Sequence, residues 1–150
     1  MKKVFVLICM VCLCMAGFSQ ARMQKSDFQI NPHMLETYTQ AQIDQWYAND
    51  FAKLFTMNFY MSNYACVAGK LPGDNHIEMQ SPDKYAHPGV VTNEEEIIRT
   101  GFINPHLYDF KQDEFRHTVY PLRTKGYYII IPPKNQYERV LQANLELYAY

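Results

Sequence analysis

Five consecutive residues, Tyr127-Tyr128-Ile129-Ile130-Ile131, stand between a glycine-containing turn and the pair Pro132-Pro133. Aromatic and β-branched side chains crowd a helical turn but suit a pleated strand. A proline cannot donate to a strand ladder, so the two prolines end the run. This is the strongest strand signal in the chain. It predicts a small sheet near the C-terminus, with further strands at Phe102–Phe110 and His117–Leu122 joined by polar turns. The stretch Arg123 to Gly126 fits a hairpin connection containing glycine. An antiparallel meander follows from that reading.

Helical periodicity brackets the sheet. Thr39 with Gln42 three places on makes a capping box, and Tyr38 with Ile43 fits the hydrophobic staple across it. A helix from Gln40 follows, with Ile43, Trp46 and Tyr47 on one face. Asn49 and Asp50 are candidate caps for a second helix. Along it Phe51, Leu54, Phe55, Asn58 and Met61 recur at three- and four-residue spacing. Phe55 to Ser62 also alternates with period two, but the longer helical period upstream favours helix. Asn93 and three glutamates open a short helix through Thr100, with acidic groups where the helix end is positive and Gly101 placed to stop it. After the prolines, Asn135 and Glu138 resemble a capping pair. Tyr137, Val140, Leu141, Leu145 and Tyr148 then share one face of a terminal helix, expected to pack on the sheet. The fold class is therefore α+β: N-terminal helical segments, a small antiparallel β meander and a C-terminal amphipathic helix.

The first two dozen residues read as an address. Lys2 and Lys3 form a basic start, and Val4 to Met15 carries no charge. Gly17, Ser19 and Ala21 supply small-x-small cleavage patterns, the preferred cut falling after Ser19. An uncharged stretch of about 12 residues is well short of the roughly 20 that span a bilayer as a helix. Residues 1–19 are thus expected to be a signal peptide and 20–150 one compact α+β domain. Lipidation at Cys12 or Cys14 does not fit, because neither has a small residue before it. The expected location is periplasmic, envelope-associated or secreted.

Removing the signal leaves 12 basic residues against 15 acidic ones and takes Cys9, Cys12 and Cys14 with it. Cys66 then has no partner for an intramolecular disulfide, so stability must come from an apolar core. A mildly acidic chain with no basic run lacks the footprint of a nucleic-acid or anionic-lipid binder. No later stretch is apolar and long enough to span a membrane as a helix.

Chemistry-bearing patterns are sparse. Asp74, His76 and Glu78 alternate, so on a strand all three would share a face and offer metal-ligating groups. The same spacing describes the wet face of an edge hairpin. Cys66 could serve as a nucleophile with His76, His87, His106 or His117 as its base. Between Ala65 and Val67 it reads more simply as a small buried residue. Ala68-Gly69-Lys70 resembles the end of a phosphate-binding loop, but Tyr64 and Leu71 stand where that loop needs Gly and Ser or Thr. No pattern assigns a catalytic, cofactor-binding or metal-ligating residue, and no cofactor is expected. The chain has 12 tyrosines. Tyr60, Tyr64, Tyr108, Tyr120, Tyr127, Tyr128, Tyr137, Tyr148 and Tyr150 suit a protein interface or sugar stacking. The alternative is that most line the core, with hydroxyls at its edge.

Phe18-Ser19-Gln20, the segment Leu54 to Ala65 (with Asn58-Phe59-Tyr60 and Ser62-Asn63-Tyr64) and the segment Ile103 to Ile131 resemble small exported proteins of the Bacteroidetes. The resemblance implies provenance and carries over no functional residue. The expected role is a non-enzymatic envelope or secreted protein acting through a protein-interaction surface, as an accessory subunit of a larger assembly. The rival is a small extracytoplasmic hydrolase or glycan- or peptide-binding module built on a His/Asp/Glu cluster from the 74–117 loops.

Overall fold

Thr39 Oγ1 accepts the Gln42 N–H at 3.3 Å while Gln42 Oε1 accepts the Thr39 N–H at 2.9 Å, and helix α1 (Gln40–Asn49) starts there. Tyr38 and Ile43, on either side of this start, pack in one apolar cluster. Asp50 ends α1 and opens helix α2 (Phe51–Asn63) with a single non-helical residue. Its N–H still donates to the Trp46 carbonyl, and its Oδ1 accepts the Lys53 N–H at 3.1 Å. Two helices so closely joined must turn sharply, which sets Ile43 of α1 and the α2 residues Phe51, Leu54, Phe55, Phe59 and Met61 around a common core. The helical period, not the local alternation, decides α2.

The structure, a computed structural model, describes residues 23–78 and 80–148. The expected signal peptide, its cleavage site and Tyr150 lie outside the described residues. Four strands form one sheet in the order β1-β4-β3-β2: β1 (Cys66–Ala68), β2 (Asn75–Ile77), β3 (His117–Pro121) and β4 (Tyr128–Ile131). β3 and β4 are the expected hairpin, with Gly126 at φ 87° in its turn. A positive φ is where glycine is tolerated and other residues are strained.

Three sequence expectations are corrected. First, the sheet is mixed: β2 runs parallel to β3, while β1 and β3 run antiparallel to β4. The short connection Gly69–Asp74 joins strands at opposite edges, so it crosses one face of the sheet. Second, 102–110 is not a strand. Asn104 caps a 3-10 turn at Pro105–Leu107, and only Tyr108 makes a bridge, to Ala86. Proline has no N–H for a ladder, yet Ile103, Tyr108 and Phe110 still enter the core as single side chains. Third, the terminal helix α4 (Lys134–Leu147) starts at Pro133 with no side-chain cap. The carbonyls of Asp113 and Glu114 accept its Lys134 and Asn135 N–H groups instead. α4 packs chiefly on α2, not on the sheet: Tyr137, Leu141, Leu145 and Tyr148 join the helical cluster.

The core therefore has two parts. Helices α1, α2 and α4 surround one, and the inner face of the sheet covers the other. That second part gathers Ile129, Ile131, Tyr120 and Leu122 with Ile97 of helix α3 (Glu94–Thr100) and the 103–110 segment. Fully burying an Ile of this kind contributes about 1.5–3 kcal/mol. Helix α3 is bounded as expected, Asn93 Oδ1 accepting the Glu96 N–H and Gly101 ending it at φ 67°. Among the described residues no helix is long and apolar enough to cross a membrane.

Candidate functional site

The expected trio Asp74, His76 and Glu78 is only partly assembled. Glu78 follows β2, and its N–H donates to the Val119 carbonyl at 2.8 Å, one bond beyond the parallel ladder. That bond sets its side chain against Tyr85 and Lys111. The Tyr85 hydroxyl donates to Oε2 at 2.8 Å, and Lys111 Nζ lies 3.4 and 3.2 Å from the two carboxylate oxygens. His76 Nε2 is 3.4 Å from Oε1. Glu78 is only 9% exposed. Burial alone would raise its pKa, but the hydrogen bonds from Tyr85 and Lys111 outweigh that and hold it below the ordinary glutamate value. Asp74 serves through its backbone: its carbonyl accepts the His117 N–H and faces His117 Nδ1. Lys111 and Tyr85, 33 and 7 residues from Glu78, are the members that spacing did not reveal.

The remaining histidines fall into separate settings. His87 Nε2 meets Asp109 Oδ1 at 3.1 Å on the surface. His33 stacks on Phe102 with ring centroids 3.7 Å apart. His106 is half-buried against Tyr38 and Tyr60, and desolvation lowers its pKa. Among the described residues no three His, Cys, Asp or Glu side chains meet as metal ligands would. Cys66 is exposed in edge strand β1, which corrects the expectation of a buried thiol. Partial desolvation still pushes its thiol up, away from the thiolate that a nucleophile needs.

The tyrosines turn inward. Tyr108 and Tyr120 are buried, and Tyr60, Tyr64, Tyr85, Tyr128, Tyr137 and Tyr148 are half-buried, whereas Tyr127 is exposed. Four of their hydroxyls have polar partners: Tyr64 the Phe110 carbonyl, Tyr85 Glu78 Oε2, Tyr108 Thr92 Oγ1 and Tyr120 the Lys111 N–H. The large, flat tyrosine face that would suit a partner is not formed by these residues.

A different surface stands out around helix α3. Gly89, at φ 86°, closes a turn in which the Val90 N–H donates to the His87 carbonyl. Val90 packs on the sheet-side core and Thr92 is tied to Tyr108, so both neighbours of Val91 are anchored. Val91 itself is 87% exposed, on the rim of a cleft of about 250 Å³. Ile97, Phe102, Ile103 and Tyr108 contribute apolar surface to that cleft, and Leu107 sits beside it, 38% exposed. Glu36 and Glu96 line the same cleft, and Glu94 and Glu95 line the adjoining depression. Arg99 pairs with Glu96, and Arg123 pairs with Asp83 and Glu94, leaving the region acidic on balance. Sequence reasoning missed this site, since nothing in the residues around Val91 marks it before Gly89, Val90 and Thr92 are seen in place.

Comparison with protein families, with curated proteins and with solved structures found no match for this chain.

Proposed function

We propose that this is an exported, non-enzymatic protein that holds a protein partner, as an accessory subunit of a cell-envelope assembly. The partner docks at the surface around Val91, presenting an apolar side chain flanked by Lys or Arg. The observation that carries the reading is Val91 itself, an apolar residue held out in water by two anchored neighbours beside an apolar cleft. Burying such a side chain in a partner's pocket gives affinity, while the glutamates around it favour a basic partner and set its orientation. The Glu78 cluster gives the enzymatic alternative no free carboxylate, since Tyr85 and Lys111 of its own chain already donate to it.

The test is a photo-crosslinking residue placed at position 91 of the protein in its native host. A discrete adduct is expected, to a partner whose contact peptide is basic and apolar. It should weaken with added salt and with Glu95→Lys, while the variant keeps its circular dichroism spectrum. An adduct indifferent to both charge changes, or none at all, would remove the proposal. The export half has its own check. The chain recovered from the envelope or medium should begin at Gln20, and a cytosolic chain beginning at Met1 contradicts it.

A further inference from the structure

The crossing connection between β1 and β2 builds a second depression on the far side of the sheet, away from Val91's surface. Register places Cys66 opposite Ile130, and Ile130 opposite Val119. Side chains alternate along a strand, so these three and His117 share a face, while Ile129, Ile131 and Tyr120 fill the core on the other. Val119 and Ile130 are nonetheless buried. Leu71 and Pro72 pass over this face and, with Cys66, Ile130 and Pro132, wall a groove of about 320 Å³. That volume lies at the small end of the range for small-molecule sites.

One cationic group, Lys70, stands on the same groove, and His117 lies beside it. Lys70 takes part in none of the ion pairs formed among the described residues. His117 is held by its Nδ1, 3.1 Å from the Asp74 carbonyl. A carbonyl only accepts, so Nδ1 carries the proton and this bond fixes the ring beside the groove. The crossing segment is pinned too, because Asn75 Nδ2 donates to the Pro72 carbonyl at 2.7 Å. The wall is therefore pre-organised, apolar along its length and positive at its rim.

We propose that this groove binds a small amphiphilic carboxylate, one with an apolar tail of about six to ten carbons, a size suited to a site this small. The tail lies along Leu71, Pro72, Ile130 and Pro132, and the carboxylate meets the Lys70 ammonium. The proposal is independent of the partner surface.

Cys66 reports on the groove directly, since it lines it. The protein as its host makes it is alkylated with iodoacetamide, with and without octanoate. Cys66 is read on its own peptide by mass spectrometry, so Cys9, Cys12 and Cys14 do not contribute if they are present. Octanoate is expected to protect Cys66 saturably, slowing its alkylation by about tenfold or more, whereas octan-1-ol at equal concentration protects far less. Lys70→Gln should raise the half-protecting octanoate concentration about five- to tenfold, the scale of one lost charge-assisted contact. Protection in each variant is read against that variant's own alkylation rate without octanoate, and Lys70→Arg should restore it. Absent or unsaturable protection, equal protection by octan-1-ol, or a Lys70→Gln variant that behaves like the parent would each overturn the proposal.

Discussion

The Tyr120 hydroxyl accepts the Lys111 backbone N–H at 2.7 Å. Tyr120 belongs to β3 and is fully buried, whereas Lys111 lies in the irregular segment that crosses beside it. This one bond holds the segment at the height where Lys111 Nζ meets Glu78. It thus joins the apolar core to the charge cluster on its edge.

Tyr120→Phe keeps the ring and its contacts with Tyr85 and Phe110. It removes the acceptor and leaves the Lys111 N–H without this partner. Losing a part-buried hydrogen bond costs about 0.5–1.5 kcal/mol, so urea unfolding should show a loss of that size with an unchanged m-value. A variant as stable as the parent would show that water replaces the hydroxyl.

Glu78 links stability to acid. Its folded pKa lies below the ordinary glutamate value of 4.5. The unfolded chain therefore takes up this proton first as pH falls. The contribution is fully present above pH 4.5 and is lost as pH drops through the folded value. Glu78→Gln should cost about 1–3 kcal/mol at pH 7 by weakening hydrogen bonds to a charged group. It should also flatten the stability curve below pH 4.5. Parallel curves for parent and variant would mean that the carboxylate is not linked to folding.

What the chain reveals of itself follows the distance over which each signal acts. Thr39 with Gln42, Asp50, and Asn93 with Gly101 are all local, and each bounds its helix where the spacing predicts. The β3–β4 hairpin is legible for the same reason. Strands β1 and β2 are three residues each, and they exist because partners 60 to 64 and 42 residues away supply their hydrogen bonds. The alternating residues from His76 to Gln80 do signal a short strand overlapping β2, but no local pattern announces β1 or either strand's partner. The start of α4 follows the same rule, since its first N–H groups are satisfied by Asp113 and Glu114 and not by Asn135. Of the sites, the alternation of His76 and Glu78 was readable, but Lys111 arrives through tertiary packing. Val91 hid because a lone exposed valine looks like any other until its anchored neighbours and the cleft are seen.

Asn104 is a fixed donor between two segments. It is only 5% exposed. Its Oδ1 accepts the His106 N–H at 3.0 Å, and its Nδ2 donates to Glu36 Oε2 at 3.3 Å and Thr37 Oγ1 at 3.2 Å. Asn104→Asp preserves the shape and the acceptor but turns the donor into a carboxylate facing Glu36. Above the carboxylate range the two like charges repel in a poorly hydrated place, so the loss should exceed that of Asn104→Ala, about 1–3 kcal/mol for unpaired partners. Lowering the pH toward 4 should narrow the gap as one carboxyl takes a proton. Thermal unfolding of both variants from about pH 3 to about pH 7, a range that spans the carboxylate pKa values, reads the effect.

His106 gives a second pH dependence, of separate origin and in a higher window. Desolvation holds its pKa below the ordinary 6.5, and the Tyr38 hydroxyl lies 3.2 Å from its Nε2. The Tyr38 hydroxyl can donate to a neutral Nε2 or accept from a protonated one, so the shift comes from the loss of water around the charged ring. Below pH 6.5 the unfolded chain binds the proton and the folded one resists it. Stability should therefore fall with pH from 6.5 down to the folded value and stay level above 6.5. His106→Phe keeps a ring against Tyr38 and Tyr60 and leaves the Tyr38 hydroxyl its contact with Met57 Sδ at 3.3 Å. It should abolish this part of the slope while leaving the Glu78 part at lower pH intact. The NMR titration of the ring decides the cause: a midpoint at or above 6.5 would show that packing around Tyr38 and Tyr60 does not disfavour the charged ring.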